Sequence, residues 1–309
     1  MALIPLKTAN KIKFKAFMEC FDHIVTDCDC VLWLENNPIP GSSDVIKKFK
    51  EMGKKIYYLT NNSTKTREEY VMKCISLGFP ARKDDIISPG FLVANYLKQM
   101  NFNKKVYIVG SEAIAKELDE VGIKNFGVGP DRMFGALPKP DDLKVTLESN
   151  VGAVVVGYDV HISLIKIAKA CTYLKDPNCL FIATNTDRRK LIADQRYVLP
   201  GAGSMVAAIE TTAMRKPVIL GKPETFTQKT LTEKYKVIPS KTLMIGDKCS
   251  TDILLGKRAG FTTLLVLTGH DTLKDVQEWK SSSDATLQSY VPHYYLDKLG
   301  DLLPLLNEI

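Results

Sequence analysis

The sequence predicts an α/β fold with a mainly parallel sheet. Strand-like and helix-like segments alternate almost from end to end of the 309-residue chain, as expected for successive βα units. Polar residues follow several of the strand-like runs. The length favours two domains, and 45% hydrophobic with 25% charged residues is ordinary for a globular protein.

The first part of the chain contains two strand–helix pairs. The runs HIVT and KIYYL predict strands at 23–26 and 55–59, and helices are expected at 43–52 and 66–78. Thr66 and Glu69 have the spacing of a capping box, and Gly78 is typical of a helix C-terminus. Both pairs are therefore predicted to belong to one parallel sheet.

The rest of the chain continues the alternation. Strands are expected at 104–109, 152–158, 179–184, 218–220, 241–246 and 262–267, helices at 112–121 and 163–174, and a last helix at 299–306 interrupted by Pro304. Two Gly- and Pro-rich connectors, 127–140 and 196–204, are typical of an inserted domain. We therefore predict core residues 1–103, an inserted domain over 104–213, and core residues 214–309.

Composition argues against several classes of protein. The net charge is +7, but the basic residues are scattered, so nucleic acid is not expected as a partner. Seven cysteines without a CxxC pair indicate neither a disulfide framework nor a zinc ribbon. No run approaches the ~18 apolar residues of a membrane span, and the N-terminus lacks the apolar core of a signal peptide. We expect a cytoplasmic protein without a membrane partner.

Four predicted strands are followed, directly or after one glycine, by a residue suited to phosphoryl transfer. These residues are Asp27, Thr60, Lys222 and Asp247. In open parallel sheets the ligand lies outside the carboxyl ends of the strands. Distant segments are therefore expected to deliver two carboxylates, a hydroxyl and an ammonium to a single crevice.

Each of these residue types has a chemical reason to be there. Asp27 and Asp29 repel each other, which calls for a cation, and Mg²⁺ is the natural oxygen-ligated ion, with Asp247 as a third oxygen source. Asp27 is the better-fixed nucleophile and would form an aspartyl-phosphate. Asp29 can protonate the leaving alkoxide and later activate water. These roles make the two aspartates the predicted centre of catalysis.

The remaining predicted residues bind the phosphoryl group. Lys222 places a positive charge against the phosphoryl oxygens and restrains Asp27. Thr60, Asn61 and Asn62 can hydrogen-bond the same oxygens. Alone, each of these motifs is typical of a turn or a helix cap. Their common position at strand ends is what favours phosphoryl transfer.

These residues resemble the motifs of haloacid dehalogenase (HAD) superfamily phosphatases: DCDCVLW (27–33), LTNNS (59–63), GKPE (221–224) and GDKCSTD (246–252). More narrowly, the chain is similar to the phosphoglycolate, pyridoxal and 4-nitrophenyl phosphatase group. The resemblance implies a Rossmann-like core with an inserted α/β cap of the C2 type. It also implies a Mg²⁺-dependent phosphatase of small-metabolite phosphate monoesters.

The resemblance assigns further roles. It implies that Mg²⁺ is bound by the carboxylates of Asp27 and Asp247 and the carbonyl of Asp29. Asp252 would orient Lys222 or the waters on the metal. A homodimer formed through the cap is expected by analogy.

The sequence departs from the family pattern at two positions. Cys30 stands where the family usually has glycine, and Ser250 where relatives commonly carry an acid. If the turn needs a positive φ, cysteine there would be strained and could displace Asp29. A catalytically impaired phosphatase that serves as a binding or scaffold protein is therefore an alternative, and an oxidation switch at the Cys30 thiol is another.

Substrate choice is expected to lie in the cap. Its candidate substrate-binding residues are Asn185, Asp187, Arg188 and Tyr197. His161 and His270 are expected to border helices. A large cap favours small phosphorylated metabolites over macromolecules, with a phosphoprotein phosphatase as the alternative. The G-x-G runs in 127–132 and 201–206 do not fit a dinucleotide-binding oxidoreductase, because neither follows a clear strand.

Overall fold

The computed structural model describes residues 3–131, 146–190, 192, 194 and 196–308. Residues 132–140 of the first predicted connector lie outside this part of the chain. The described chain is an α/β structure with parallel sheets, as predicted. Within it, every helix is too short or too polar to cross a membrane.

The strands and helices are numbered in chain order. The strands are β1 (Ile4–Pro5), β2 (His23–Thr26), β3 (Trp33–Leu34), β4 (Asn37–Pro38), β5 (Lys55–Leu59), β6 (Ile86–Ile87), β7 (Lys105–Val109), β8 (Asn125–Phe126), β9 (Val151–Val156), β10 (Leu180–Ala183), β11 (Arg189–Lys190), β12 (Leu199–Pro200), β13 (Val218–Ile219), β14 (Thr242–Gly246), β15 (Thr262–Val266) and β16 (Tyr294–Leu296). The helices are α1 (Lys11–Glu19), α2 (Ser42–Glu51), α3 (Arg67–Ser76), α4 (Pro89–Gln99), α5 (Glu112–Asp119), α6 (Leu164–Tyr173), α7 (Ala202–Ala213), α8 (Thr225–Lys229), α9 (Leu254–Arg258), α10 (Leu273–Ser281), α11 (Ala285–Ser289) and α12 (Leu303–Asn307).

The first sheet carries the ends of β2, β5 and β14. Its strand order in the described chain is β1-β16-β15-β14-β2-β5-β6, and every neighbouring pair is parallel. The central strand β2 is buried along its whole length. Because β14 and β5 flank it, the residues after these three strands emerge side by side at one edge.

The second sheet is also parallel and is built from the middle of the chain. Its order in the described residues is β13-β10-β9-β7-β8. The predicted strand 218–220 was expected to end in the same sheet as β2, and this was wrong. Ile182 of β10 instead pairs with Val218, because the short apolar strand extends the edge of the second sheet.

The two sheets share a hydrophobic core. One buried cluster contains Val25 and Leu59 of the first sheet together with Ile108 and Val155 of the second. Each fully buried aliphatic side chain of this kind contributes roughly 1.5–3 kcal/mol. Apolar burial therefore joins the sheets, and the side chains at the ends of their strands lie in a fixed setting.

The capping box of α3 and the C-terminal segment show how local signals act. Thr66 accepts a hydrogen bond from the backbone N–H of Glu69, whose carboxylate accepts one from Thr66 N, as predicted. Pro304 does not interrupt a helix. It lies in the first turn of α12, after a 3₁₀ turn at Leu299–Leu302, where its missing N–H has no intrahelical role.

Candidate active site

Asp27, the first residue after β2, is the first residue of the candidate site along the chain. Its backbone N–H donates to the carbonyl of Ile245 on the neighbouring strand β14, at 2.8 Å. The ladder between the strands thus continues one residue beyond β2 and fixes the backbone of the aspartate. Its side chain is mostly buried.

Lys222 lies against the Asp27 carboxylate, although it comes from the end of the second sheet. Its Nζ is 2.7 Å from Asp27 Oδ1 and 2.8 Å from Asp252 Oδ1, and it donates to the carbonyl of Leu59 at 3.0 Å. Burial opposes the charge on Lys222, but Asp252 and Asp27 outweigh it and raise the pKa of the ammonium. The lysine is therefore held charged between two acids.

Asp247 and Asp252 complete the acidic group. Carboxylate oxygens of Asp27, Asp247 and Asp252 lie within 4.8 Å of one another. A π-helical turn at Cys249–Ile253 presents Asp252, whose Oδ2 accepts from the backbone N–H of Lys248 at 3.2 Å. The three carboxylates thus form a cluster that offers several oxygen ligands to one cation.

Two glycines allow this cluster to form. A Cβ on Gly246 would collide with the carboxyl of Asp252, and a Cβ on Gly269 would collide with that of Asp247. The backbone N–H of His270 donates to Asp247 Oδ2 at 3.0 Å, which fixes the orientation of this carboxylate. Close backbone approach therefore forms a cradle around the acids.

The pKa values of the acids reflect their crowding. Burial, partly offset by Lys222, raises the pKa of Asp27 to about 7. Burial and the charges of Asp27 and Asp252 raise the pKa of Asp247 well above its usual range. A divalent cation would relieve this repulsion, so the donor set fits a hard metal ion.

The Thr60–Asn62 turn is locked by hydrogen bonds. Thr60 Oγ1 accepts from Asn62 N at 3.0 Å. The side chain of Asn61 pairs with the backbone of Lys222, accepting from its N–H at 2.9 Å and donating to its carbonyl at 3.2 Å. Asn62 Oδ1 accepts from the backbone N–H of Thr64 at 3.0 Å. The two asparagine side chains thus shape the turn, and Asn61 fixes the backbone of the lysine.

Asp29 lies on the turn after Asp27, and its side chain is 39% exposed. Its Oδ1 accepts from the indole N–H of Trp33 at 2.9 Å. Cys30, the next residue, has a φ of 63°, so this turn does use the left-handed conformation that favours glycine. Cys30 N donates to the carbonyl of Trp33 at 2.7 Å, which closes the turn and brings Trp33 beside Asp29.

A loop of the second sheet reaches the same place. Asn185 Nδ2 donates to the carbonyl of Asn61 at 2.7 Å, and its Oδ1 accepts from Asp187 N at 3.0 Å. The carboxylate of Asp187 accepts from Asn61 Nδ2 at 3.0 Å and from Lys248 Nζ at 2.5 Å. Asn185 and Asp187 therefore bind the core motifs directly.

Most of these groups line a cleft of about 540 Å³, a size typical of small-molecule sites, whereas Asp252 is fully buried behind Lys222 and does not line it. Of the predicted residues, those lining it are Asp27, Asp29, Thr60, Asn61, Asn62, Asn185, Asp187, Lys222 and Asp247. Arg188 and Tyr197 do not line it. Arg188 is exposed, and its carbonyl accepts a hydrogen bond from the backbone N–H of Gly201. Its neighbours Arg189 and Lys190, which form β11, line the cleft instead.

Sequence reasoning missed several residues of the cleft. Lys248 follows Asp247 directly, so its position in the GDKCSTD motif was a usable signal. His270 was expected to border a helix, yet it lines the cleft, where burial and the charge of Lys248 lower its pKa. Lys73 lies on a helix far from any strand end, and nothing in its local sequence pointed to the site.

Comparison with known proteins identifies the wider family. Residues 80–260 match the model of the haloacid dehalogenase-like hydrolases, and residues 24–124 match a second model, that of a haloacid dehalogenase-like hydrolase. The glycerol-3-phosphate phosphatase of Homo sapiens is 38% identical over 95% of this chain and 93% of its own length. Similarity of this extent covers both sheets.

Solved structures of related proteins have the same fold as this chain. A 4-nitrophenylphosphatase from Thermotoga maritima has a TM-score of 0.75 at 26% identity, covering 92% of this chain and 97% of its own. A glycerol phosphate phosphatase from Mycobacterium tuberculosis in complex with calcium has a TM-score of 0.72 at 25% identity, covering 92% and 75%. Both of these solved structures are of phosphatases that share the fold of this chain.

Proposed function

The chain belongs to the haloacid dehalogenase-like hydrolase family and is a phosphoric monoester hydrolase, and from this premise we propose a Mg²⁺-dependent phosphatase of small-metabolite phosphate monoesters. One observation carries the proposal. The Lys222 ammonium lies 2.7 Å from Asp27 and 2.8 Å from Asp252, inside a cluster of three carboxylates. Phosphoryl transfer to a carboxylate needs this arrangement of nucleophile and positive charge.

The residues present fit the metal ion. The carboxylates of Asp27 and Asp247 and the carbonyl of Asp29 would hold Mg²⁺, while Asp252 would orient Lys222. When bound, Mg²⁺ would neutralise charge on the phosphoryl oxygens and the carboxylates. A related phosphatase in complex with calcium supports a divalent cation in this fold.

The proposed reaction has two steps. In the first, the Asp27 carboxylate bonds to phosphorus, the ester P–O bond breaks, and Asp29 gives its proton to the leaving oxygen. In the second, water attacks phosphorus as Asp29 takes its proton, and the bond to Asp27 breaks to release phosphate. Lys222 keeps positive charge beside Asp27 and the phosphoryl oxygens throughout.

The size of the cleft and the names of the relatives support a small substrate. Phosphoglycolate, pyridoxal phosphate, glycerol-3-phosphate and 4-nitrophenyl phosphate are the kinds of ester we propose. A cleft of about 540 Å³ holds a metabolite of this size. We favour these esters over phosphoproteins, because the Asn185–Asp187 loop contacts the core motifs and narrows the approach.

Replacement of the nucleophile tests the proposal. We expect Asp27→Asn to lower kcat for 4-nitrophenyl phosphate by at least about 10³-fold, and removal of Mg²⁺ by EDTA to abolish turnover reversibly. Asp44→Asn, in an exposed pair with Lys47, is the matched control and should keep full activity. An active Asp27→Asn protein, or turnover indifferent to EDTA, would overturn the mechanism.

The positive φ of Cys30 is the one observation that favours a catalytically impaired scaffold protein. Activity of the wild-type chain separates the two functions. We expect hydrolysis of 4-nitrophenyl phosphate by the wild type. A dead wild type revived by Cys30→Gly would favour the scaffold.

A cytoplasmic location and a homodimer formed through the inserted domain also remain proposals. The cysteines in the described chain are free, which suits a reducing compartment. Light scattering on the purified protein would measure the oligomeric state. A monomer at micromolar concentration would count against the dimer.

A further inference from the structure

Trp33 is fixed beside Asp29 by the fold of the turn between them. The backbone N–H groups of Leu32 and Trp33 both donate to the carbonyl of Cys28, at 2.9 and 3.4 Å. Asp29 and Trp33 form an isolated β-bridge. The chain therefore doubles back, and the indole N–H of Trp33 comes within 2.9 Å of Asp29 Oδ1.

The indole ring has little freedom to move. Trp33 is fully buried and belongs to the main hydrophobic cluster. Its ring packs edge-on against Phe79, with 5.5 Å between centroids and 72° between planes. The donor is thus a rigid, buried group beside Asp29 rather than a side chain that adjusts to its partner.

Lys73 approaches the same carboxylate from α3. Its Nζ is 4.6 Å from the centre of the Trp33 ring and 3.8 Å from Asp29 Oδ1. Its side chain is only 13% exposed, and α3 is anchored at its start by the capping box of Thr66. A cation over an indole face is attracted to the ring, so the stacked lysine stays close to Asp29.

Both contacts are made by the same carboxylate oxygen of Asp29. We propose that Trp33 and Lys73 are positioning residues that hold Oδ1, so that Oδ2 faces the cleft and delivers the proton to the leaving group. A partly exposed aspartate on a turn would otherwise sample several rotamers. Fixing one oxygen restricts the other to an arc, which improves the alignment that proton transfer needs.

This inference rests on the proposed function, in which Asp29 is the proton donor. The proton moves from Asp29 Oδ2 to the ester oxygen as the P–O bond breaks, and its bonding pair stays on the carboxylate. The negative charge that then develops is shared with Oδ1, where the Trp33 N–H and the Lys73 ammonium stabilise it. Positioning and stabilisation therefore act in the same step.

The leaving group supplies a readout that a purely structural role would not move. 4-Nitrophenolate leaves without a proton near neutral pH, whereas the alkoxide of glycerol-3-phosphate must be protonated. We expect Trp33→Phe to lower the single-turnover rate of leaving-group release from glycerol-3-phosphate by about 10-fold or more, with less than about a threefold change for 4-nitrophenyl phosphate. This rate reports the first step alone, because the second step, in which Asp29 activates water, is the same for both substrates. Phenylalanine keeps an aromatic ring for Phe79 to contact and removes only the N–H donor side of the indole.

Two further variants make the result decisive. Trp279→Phe is the matched control, because Trp279 packs against Tyr290 away from the cleft, and it should leave both rates unchanged. In the first step, measured by single-turnover release of the leaving group, Asp29→Asn should show the same selective loss as Trp33→Phe, while its steady-state turnover should fall for both substrates. If Asp29→Asn lacks that selectivity, the proposed proton donor is wrong. If Asp29→Asn is selective while Trp33→Phe slows both substrates equally or neither, only the positioning role is overturned.

Lys73→Met covers the case in which Trp33→Phe does not fold. The methionine keeps the length of the side chain over the ring but removes its charge. A selective loss of single-turnover leaving-group release from glycerol-3-phosphate in Lys73→Met supports the positioning role. An equal effect on both substrates contradicts it.

Discussion

Cys30 shows how one residue can violate a local preference and still keep the site in order. A φ of 63° costs a non-glycine residue about 1–2 kcal/mol. The turn is nevertheless held by its backbone, since Cys30 N donates to the Trp33 carbonyl at 2.7 Å and the Cys30 carbonyl accepts from Thr268 Oγ1 at 2.5 Å. Burial and the charge of Asp247 raise the pKa of the thiol well above its usual range, which opposes an oxidation switch.

We predict that Cys30→Gly changes the free energy of unfolding by less than about 1 kcal/mol. Relief of backbone strain is offset by loss of a thiol that is only 4% exposed and by the greater freedom of glycine in the unfolded chain. Urea denaturation measures this balance. Lys236→Gly is the control, because Lys236 has a φ of 55° and is exposed, so it should gain about 0.5–1 kcal/mol.

Among the elements, β13 marks the limit of what sequence could predict. The apolar run 218–220 correctly indicated a strand, and its position before Lys222 correctly suggested a strand end. A two-residue strand is too short to carry a pattern that tells one parallel sheet from another, and here Val218 is exposed and Ile219 only partly buried. Its pairing with β10 depends on tertiary packing, which a local pattern does not contain.

The link between β15 and the start of β16 predicts a pH dependence of stability. His293 Nδ1 accepts from Thr263 N at 3.1 Å, and burial together with Lys257 lowers the pKa of His293 below its ordinary value of 6.5. The folded state therefore favours the neutral ring. The neutral ring stabilises the fold fully above pH 6.5, the ordinary pKa of histidine. This stabilisation is lost as the pH falls through the lowered pKa of His293.

We expect the free energy of unfolding to fall between about pH 7.5 and about pH 5.5, and to fall less in His293→Asn, whose amide oxygen still accepts from Thr263. Urea denaturation at several pH values measures the two slopes. His161→Asn, at an exposed position, should keep the wild-type slope. Equal slopes for wild type and His293→Asn would contradict the assignment.

At the scale of the whole molecule, a buried ion pair joins the two parts of the chain. Arg67 starts α3, and its guanidinium Nη2 lies 2.9 Å from Glu117 Oε2 on α5, with side chains 12% and 1% exposed. Its backbone N–H also donates to Glu117 Oε1 at 2.9 Å. The pair lies beside the apolar cluster shared by the sheets, where Arg67 stacks over Phe91.

We predict that Arg67→Met lowers the free energy of unfolding by about 3–5 kcal/mol, because it leaves a buried carboxylate without its partner. The double variant Arg67→Met/Glu117→Met should lose less than Arg67→Met alone, since the uncompensated charge is gone. Chemical denaturation of the wild type, the two single variants Arg67→Met and Glu117→Met, and the double variant gives the coupling free energy. A loss below about 1 kcal/mol in Arg67→Met would refute the prediction.

The overall topology explains which residues of the site could be predicted from the sequence. Asp27, Thr60 and Asp247 follow strands of one sheet, so the rule for carboxyl ends was enough to bring them together. Trp33 reaches Asp29 through a reversing turn, and Lys73 reaches it from the face of a helix. Their positions follow from the three-dimensional course of the chain, which the strand-end rule does not describe.

The attachment of β13 to the second sheet also sets the order in which the catalytic centre can assemble during synthesis. Asp27 leaves the ribosome 195 residues before Lys222, and the lysine follows a strand that needs β10 as its template. A nascent chain with its first aspartates already folded therefore lacks the ammonium that partners them. The centre can close only after Lys222 and Asp247, which lie in the last third of the polypeptide, have been synthesised and folded against the first strands.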